Sequence, residues 1–487
     1  MDLKDIIKKY EENKNVRTLR TIIQHNQRNI IQLTGLAGSS VSVIAAACYK
    51  TNPHHAIFVL PDREEAAYFL NDIENLLGEK QVLFFPSSYK KSYHINDIDN
   101  NNVLLRAEVL SRISKSTQPF ILVTYPEAIN ERVITKQNLA NNTIEARVGD
   151  TLSIEFISEF LIANGFERTD FVFEPGQFAI RGGIVDVFSF ANELPYRMEF
   201  GGDKIESIRS FDPNTQLSEK NLNHFTIIPN VQKELAQQGT ESFFNFIPQD
   251  SVLWAKDLGF TMEYIQKNLD ALKEKETVLN DDDEKVALNA NDIYENEKEI
   301  EKHLQKFTLI EYGTKIFPDI HRDETLHFNH KPQPAFNKNF NLLSENFLSN
   351  LSRGYKNIIF SDTAKQIERI YAIFEDIHFK SSSVKTQTMA PGQKIEFSPI
   401  LLSLHEGFID NDLQLACYTD HQIFDRYHRF RLRKTYSRSE ALTLKELYSL
   451  KPGDFITHID HGVGRFGGLE KIEVNGKQQE AIRLVYK

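Results

Sequence analysis

Residues 30–48 read IIQLTGLAGSSVSVIAAAC, an apolar run, a glycine turn and a second apolar run of helical character. This order of strand, turn and helix is that of a phosphate-binding loop, G-x-x-x-x-G-K-[ST] or the shorter G-x-x-G-x-G-K-[ST]. In such a loop backbone amides cradle the phosphates, the lysine neutralises them and the hydroxyl holds magnesium. Val41 stands where the lysine belongs, and Ser40 where the last glycine belongs. We therefore predict a relic loop that keeps the fold and does not hydrolyse nucleotide; an ordinary glycine-rich turn is the alternative. The residues of this relic loop are Gly35, Gly38, Ser39, Ser40, Val41 and Ser42.

Further apolar runs follow the relic loop and alternate with helical patterns. Ala56–Leu60, Gln81–Phe85 and Phe120–Thr124 have the continuous apolar character of buried strands, and Glu64–Leu77 between them is amphipathic. Such runs, with helices between them, indicate a parallel sheet covered on both faces. The layout is that of a P-loop ATPase domain.

Length and composition limit the class of protein. A chain of 487 residues is too long for one core and predicts three or four domains. It has no membrane-length apolar run and no apolar signal core, and its two cysteines, Cys48 and Cys417, lie far apart, which predicts a cytoplasmic protein without a membrane partner. We expect a monomer. We also expect no bound metal, because the sequence has no cluster of His and Cys ligands. The net charge of −11 argues against a general nucleic-acid coat.

The pattern of predicted strands and helices changes several times after the first sheet. Residues 1–130 and 221–335 are predicted to form one α/β domain, interrupted at 131–220 by an α+β insert of short strands and glycine turns. A small α/β domain of unknown role follows at 336–435, then a linker helix at 436–450. Residues 451–487 look like the opening of a β-barrel that cannot close after the strand at 482–486, so we expect the chain to be a piece of a longer protein.

Three motifs carry a resemblance to a known family. They are FAIRGGIVDVF at 178–188, ELPYRMEF at 193–200 and HIDHGVGRF at 458–466. Together with the relic loop, they resemble the N-terminal half of the transcription-repair coupling factors (Mfd). The resemblance implies a UvrB-like degenerate P-loop domain, a UvrA-binding insert and an RNA-polymerase-interacting barrel. The ATP- and magnesium-dependent translocase motor of the family, through which it engages DNA, is absent from this sequence, so we expect no cofactor and no catalytic residue here.

The resemblance also implies partner-binding residues. By motif position, Arg168, Arg181 and Phe188 correspond to the UvrA-contacting set, although Phe188 also fits a place in the sheet core. An edge strand of the barrel would pair with the polymerase β subunit, with Ile482 and Leu484 as the candidate residues. UvrB has an acidic, metal-holding pair where this chain has Lys256 and Asp257, and the cation there would repel magnesium.

Three functional hypotheses follow from these features. The first is a binding module that recruits UvrA to RNA polymerase stalled at DNA damage. The second is a UvrB-like, ATP-dependent damage-verification helicase, which would require a lysine in the loop and a second motor domain. The third is direct DNA binding by the basic run from Arg426 to Arg438, which would be strongly salt-dependent.

Overall fold

The structure, a computed structural model, describes residues 1–487 except 26–27, 79–80, 90–98, 116, 191, 193, 229–238, 280–289, 319, 384–394, 428–450, 452, 459–461, 475–476 and 487. The helices are α1 (Leu3–Glu12), α2 (Lys14–His25), α3 (Ser40–Thr51), α4 (Arg63–Leu77), α5 (Asn100–Lys115), α6 (Pro126–Ile129), α7 (Lys136–Asn141), α8 (Ile154–Ala163), α9 (Phe243–Phe246), α10 (Leu258–Leu279), α11 (Ala290–Ile293), α12 (Glu297–Leu304), α13 (Phe340–Ser352), α14 (Ala364–Ser383) and α15 (Asp420–Ile423). Across the described residues, no helix combines the length and the apolar character that a bilayer crossing requires.

The first fourteen strands in chain order run from the start of the first sheet through the insert. They are β1 (Ile30–Thr34), β2 (Ala56–Val59), β3 (Val82–Phe84), β4 (Ile121–Thr124), β5 (Val133–Ile134), β6 (Ile144–Arg147), β7 (Glu167–Arg168), β8 (Gln177–Arg181), β9 (Ile184–Val187), β10 (Tyr196–Gly201), β11 (Lys204–Phe211), β12 (Ser218–Leu222), β13 (His224–Ile227) and β14 (Thr240–Glu241). The remaining strands are β15 (Val252–Lys256), β16 (Thr308–Tyr312), β17 (Glu324–His327), β18 (His330–Pro332), β19 (Lys356–Ser361), β20 (Ser398–Leu401), β21 (Phe408–Asp410), β22 (Leu415–Thr419), β23 (Phe455–His458), β24 (Gly462–Val474) and β25 (Lys477–Val485).

A seven-stranded, wholly parallel sheet forms the first α/β unit, in the order β17-β1-β16-β15-β2-β4-β3. The predicted α/β class with a parallel sheet is thus confirmed. Strands β2 and β4 are buried at every position, because helices cover both faces of a parallel sheet. Helix α3, which follows the relic loop, is buried from Ser40 to Tyr49 and lies at the centre of this core.

The insert is a six-stranded sheet in the order β12-β11-β10-β9-β8-β7. The strands predicted from FAIRGGIVDVF and YRMEF are neighbours, since β9 pairs with β10. Helix α8 buries Ile157 and Leu161 against the sheet residues Phe178 and Met198. Two antiparallel pairs, β6 with β13 and β5 with β14, connect the insert to the first α/β unit.

A second α/β unit has a mixed five-stranded sheet in the order β18-β21-β22-β19-β20. Its own core contains Phe347 and Tyr418, whereas Leu404, Phe408 and Cys417 belong to the large core of the first unit. The two units therefore share one continuous apolar core.

The C-terminal strands β23, β24 and β25 form a three-stranded antiparallel sheet. The predicted linker helix at 436–450, and most of the basic run from Arg426 to Arg438, lie outside the described residues. The predicted domain boundaries remain predictions.

Candidate protein-interaction site and relic phosphate loop

The structure places Arg168 and Arg181 at one edge of the insert sheet. Arg168 is exposed on the edge strand β7, in register with Phe178 of β8. Arg181 ends β8, and its guanidinium donates a hydrogen bond of 2.8 Å to the carbonyl of Asp170, two residues beyond Arg168. Side chains at the same register share a face and successive ones alternate, so Arg168 shares the face of Phe178, and Arg181 the opposite face. A partner that touches both arginines must wrap around β7.

Arg181 is held in place by three neighbours, which are the Asp170 carbonyl described above, Asp186 and Phe171. Its second terminal nitrogen donates to the fully buried carboxylate of Asp186, and its guanidinium lies 5.0 Å from the ring centre of Phe171. Asp186 also accepts two hydrogen bonds from Arg197, of 2.8 and 2.9 Å. Those bonds raise the pKa of the Arg197 guanidinium. Two arginines thus compensate one buried carboxylate, and the fork of Arg181 is fixed before any partner arrives.

Phe171 presents an exposed aromatic ring on this surface, with 48% of the residue exposed. Phe188, the third residue of the predicted UvrA-contacting set, is fully buried with Val172, Ala179 and Phe211. A role of Phe188 at the interface is therefore indirect, through packing of the sheet. Phe171 lies in the loop after β7, outside the alternating pattern that signals a core position.

The polymerase candidates Ile482 and Leu484 lie on β25. Their backbone pairs with Leu469 and Phe466 of β24, and in the described sheet β25 is an edge strand. Their side chains lie outside the described residues, so their predicted role stays a prediction.

The glycines of the relic loop accommodate other parts of the chain. Gly35 and Gly38 both have positive φ, of 70° and 51°. A Cβ on Gly35 would lie 1.8 Å from the carbonyl oxygen of Phe328, and one on Gly38 would lie 2.5 Å from that of Gly407. Close packing of backbone thus requires glycine at both positions, whether or not a phosphate binds.

The hydroxyl groups of the relic loop bond within the protein. Ser40 Oγ accepts from the backbone N–H of Ala37 at 3.3 Å, and Ser42, at the magnesium position of a working loop, donates to Asp72 at 3.2 Å. Val41 is buried. Burial raises the pKa of the Asp72 carboxyl to about 7, although the hydrogen bonds that it accepts lower it in part.

Lys256 and Asp257 also have partners in the protein. The Lys256 ammonium lies 2.5 Å from Glu65, and Asp257 accepts from the backbone N–H groups of Thr314 and Lys315 at 2.6 and 2.7 Å. Both border a cavity of about 640 Å³ beside the relic loop. Among the described residues, no group of His, Cys, Asp or Glu is arranged to hold a metal ion.

Two family models match this chain. One, described as the UvrB interaction domain, matches residues 144–232, from β6 to beyond β13. The other, described as the CarD-like/TRCF RID domain, matches residues 450–487.

Curated relatives match almost the whole chain. The transcription-repair-coupling factor of Staphylococcus aureus (strain bovine RF122 / ET3-1) is 23% identical over 510 residues, which cover 93% of this chain and 43% of the relative. That of Staphylococcus haemolyticus (strain JCSC1435) is 23% identical over 541 residues, which cover 100% of this chain and 46% of the relative. The chain thus spans less than half the length of these relatives. The resemblance seen in the sequence is confirmed: the chain is similar to the N-terminal part of the transcription-repair-coupling factors.

Proposed function

We propose that this chain binds UvrA through the edge of the insert that carries Arg168, Phe171 and Arg181, and thereby brings UvrA to a stalled RNA polymerase. The observation that carries the proposal is the fixed guanidinium of Arg181 beside the exposed ring of Phe171. This edge lies within the residues that match the UvrB interaction domain. Binding through the insert requires no nucleotide.

The chemistry of this edge suits protein recognition. Arginine and aromatic side chains are enriched among the residues that dominate binding energy. Arg181 is 34% exposed while its partners hold it, so little rotamer freedom is lost when it docks. The exposed guanidinium of Arg168 can pair with a carboxylate of the partner at its rim.

Polymerase binding is the second part of this proposal. Residues 450–487 match the RID domain, and β25 is an edge strand of the described sheet. An edge strand offers unpaired backbone groups to a strand of the partner. We propose that β25 pairs in this way with the polymerase β subunit.

Two features weigh against the helicase alternative. Val41 leaves the relic loop without its lysine, and the nearby ammonium of Lys256 is engaged by Glu65. A triphosphate would therefore meet no unpaired cation from these two positions.

Arg168→Ala is expected to weaken UvrA binding by about tenfold or more, roughly 1.4 kcal/mol, because a guanidinium at the interface is lost. Arg147→Ala is the matched control, since Arg147 is also exposed in the insert but lies on β6, away from this edge. Calorimetric titration of UvrA with the wild-type chain and both variants measures the effect. Absence of wild-type binding, or equal weakening by both substitutions, would contradict the proposal.

A further inference from the structure

The second α/β unit inserts backbone into the relic loop. The backbone N–H of Ser39 donates to the carbonyl of Glu406 at 3.1 Å, and the N–H of Glu406 donates to Ser39 Oγ at 2.9 Å. In a working loop, N–H groups of this kind point at phosphate oxygens. Here a peptide carbonyl is the acceptor instead.

Helix α4 holds the same segment from a second side. His405 donates its backbone N–H to Asp72 at 2.7 Å, and its ring stacks on Tyr68 with centres 3.6 Å apart. One turn further along α4, Asn75 donates to the carbonyl of Ser403 at 2.8 Å. The relic loop and α4 therefore form a socket, made of Gly38, Ser39, Tyr68, Asp72 and Asn75, around a wedge made of residues 403–407.

The second α/β unit fixes the wedge from behind. His421 donates from its ring Nε2 to the carbonyl of His405 at 2.7 Å, and Gln422 accepts from the N–H of Gly407 at 2.7 Å. His421 and Gln422 both lie on α15. The wedge is thus hydrogen-bonded to its own unit as well as to the socket.

We infer that the former phosphate site of this chain is now the docking site for its second α/β unit, and that the wedge excludes nucleotide phosphates independently of the missing lysine. The wedge closes on the loop at Gly38, where a Cβ would lie 2.5 Å from the carbonyl oxygen of Gly407, and the cavity of about 640 Å³ lies beside this contact. The second unit thus occupies the loop and braces the first unit, and this docking does not depend on UvrA binding.

Hydrogen exchange of the whole chain tests the docking. The N–H groups of Ser39, His405 and Glu406 are expected to exchange at least about 100-fold more slowly than in an unstructured peptide, because each is bonded inside the socket. Ser39→Ala removes the acceptor of the Glu406 N–H, and it is expected to speed exchange there about fivefold. Ser210→Ala is the matched control, since the buried Ser210 hydroxyl has no hydrogen-bond partner among the described residues.

Unprotected exchange across 403–407 in the wild-type chain would overturn the inference, as would an equal effect of both substitutions at Glu406. A second measurement addresses the exclusion of phosphate. Val41→Lys restores the lysine, and we expect the variant, with its wedge still protected, to show no binding of a fluorescent ATP analogue with magnesium. Saturable binding by that variant would show that the lysine alone was missing.

Discussion

Glu131→Ala is expected to lower the free energy of unfolding of the first α/β unit by about 3–5 kcal/mol, because it leaves a buried charge without its counter-ion. Glu131 is fully buried and lies 3.4 Å from the guanidinium of Arg106, which is itself 3% exposed. The carboxylate also accepts from the Ser88 N–H at 2.9 Å and from the hydroxyls of Ser87 and Ser88. Urea denaturation of the variant, followed by circular dichroism, measures the loss.

An exposed ion pair provides the control for this experiment. Glu145 pairs with Lys115, and both side chains are about half exposed, so Glu145→Ala is expected to cost less than about 1 kcal/mol. The double variant Arg106→Met with Glu131→Leu should lose less than Glu131→Ala alone, since no buried charge remains unpaired. If Glu131→Ala lost no more stability than Glu145→Ala, the Arg106 charge would not be buried and uncompensated in that variant, and the prediction would be wrong.

Asp72→Asn is expected to remove a pH-dependent cost to stability of up to about 4 kcal/mol. The pKa of Asp72 is raised from 3.8 to about 7 by burial. Between these values the unfolded chain releases the proton while the folded chain keeps it, so this group's contribution to stability falls as pH rises from about 4 to 7. Above that range the cost is constant. Asparagine cannot ionise, yet it can still accept from the His405 N–H in the wedge.

Urea midpoints at pH 4.5 and pH 7.5 test this prediction. The stability of Asp72→Asn relative to wild type should increase between the two pH values, whereas Asp203→Asn, at an exposed position, should show no such change. Parallel pH profiles for wild type and Asp72→Asn would exclude a raised pKa at Asp72.

Local patterns in the sequence were sufficient to predict the strands of the first α/β unit and the order of strand, turn and helix at its start. Continuous apolar runs such as Ile121–Thr124 identify strands buried on both faces, and the glycine turn after Ile30–Thr34 identifies the strand-turn-helix order. The pairing of β9 with β10 followed from two alternating runs close together in the chain. These features depend on residues that are near neighbours in sequence.

The candidate site was harder to predict because it depends on pairing between distant residues. Ser39 and Glu406 are 367 positions apart, and no periodicity in either segment indicates that they meet. Phe188 fits both core and surface roles until the sheet is assembled, and only the packing of Val172 and Phe211 around it decides between them. Likewise, the register of β7 with β8 is needed to show that Arg168 and Arg181 share an edge and not a face.

The paired strands β5 and β14 have a consequence for the evolution of such chains. The chain segment that contains the insert leaves β5 at Val133–Ile134 and reaches β14 at Thr240–Glu241, and these two strands are direct antiparallel partners. The two points of connection therefore lie only about 5 Å apart. A genetic deletion could replace everything between them with a short turn, and a duplication could transplant it to another host, without rerouting the parental sheet. The two ends of the segment that contains the insert are therefore neighbours in the fold.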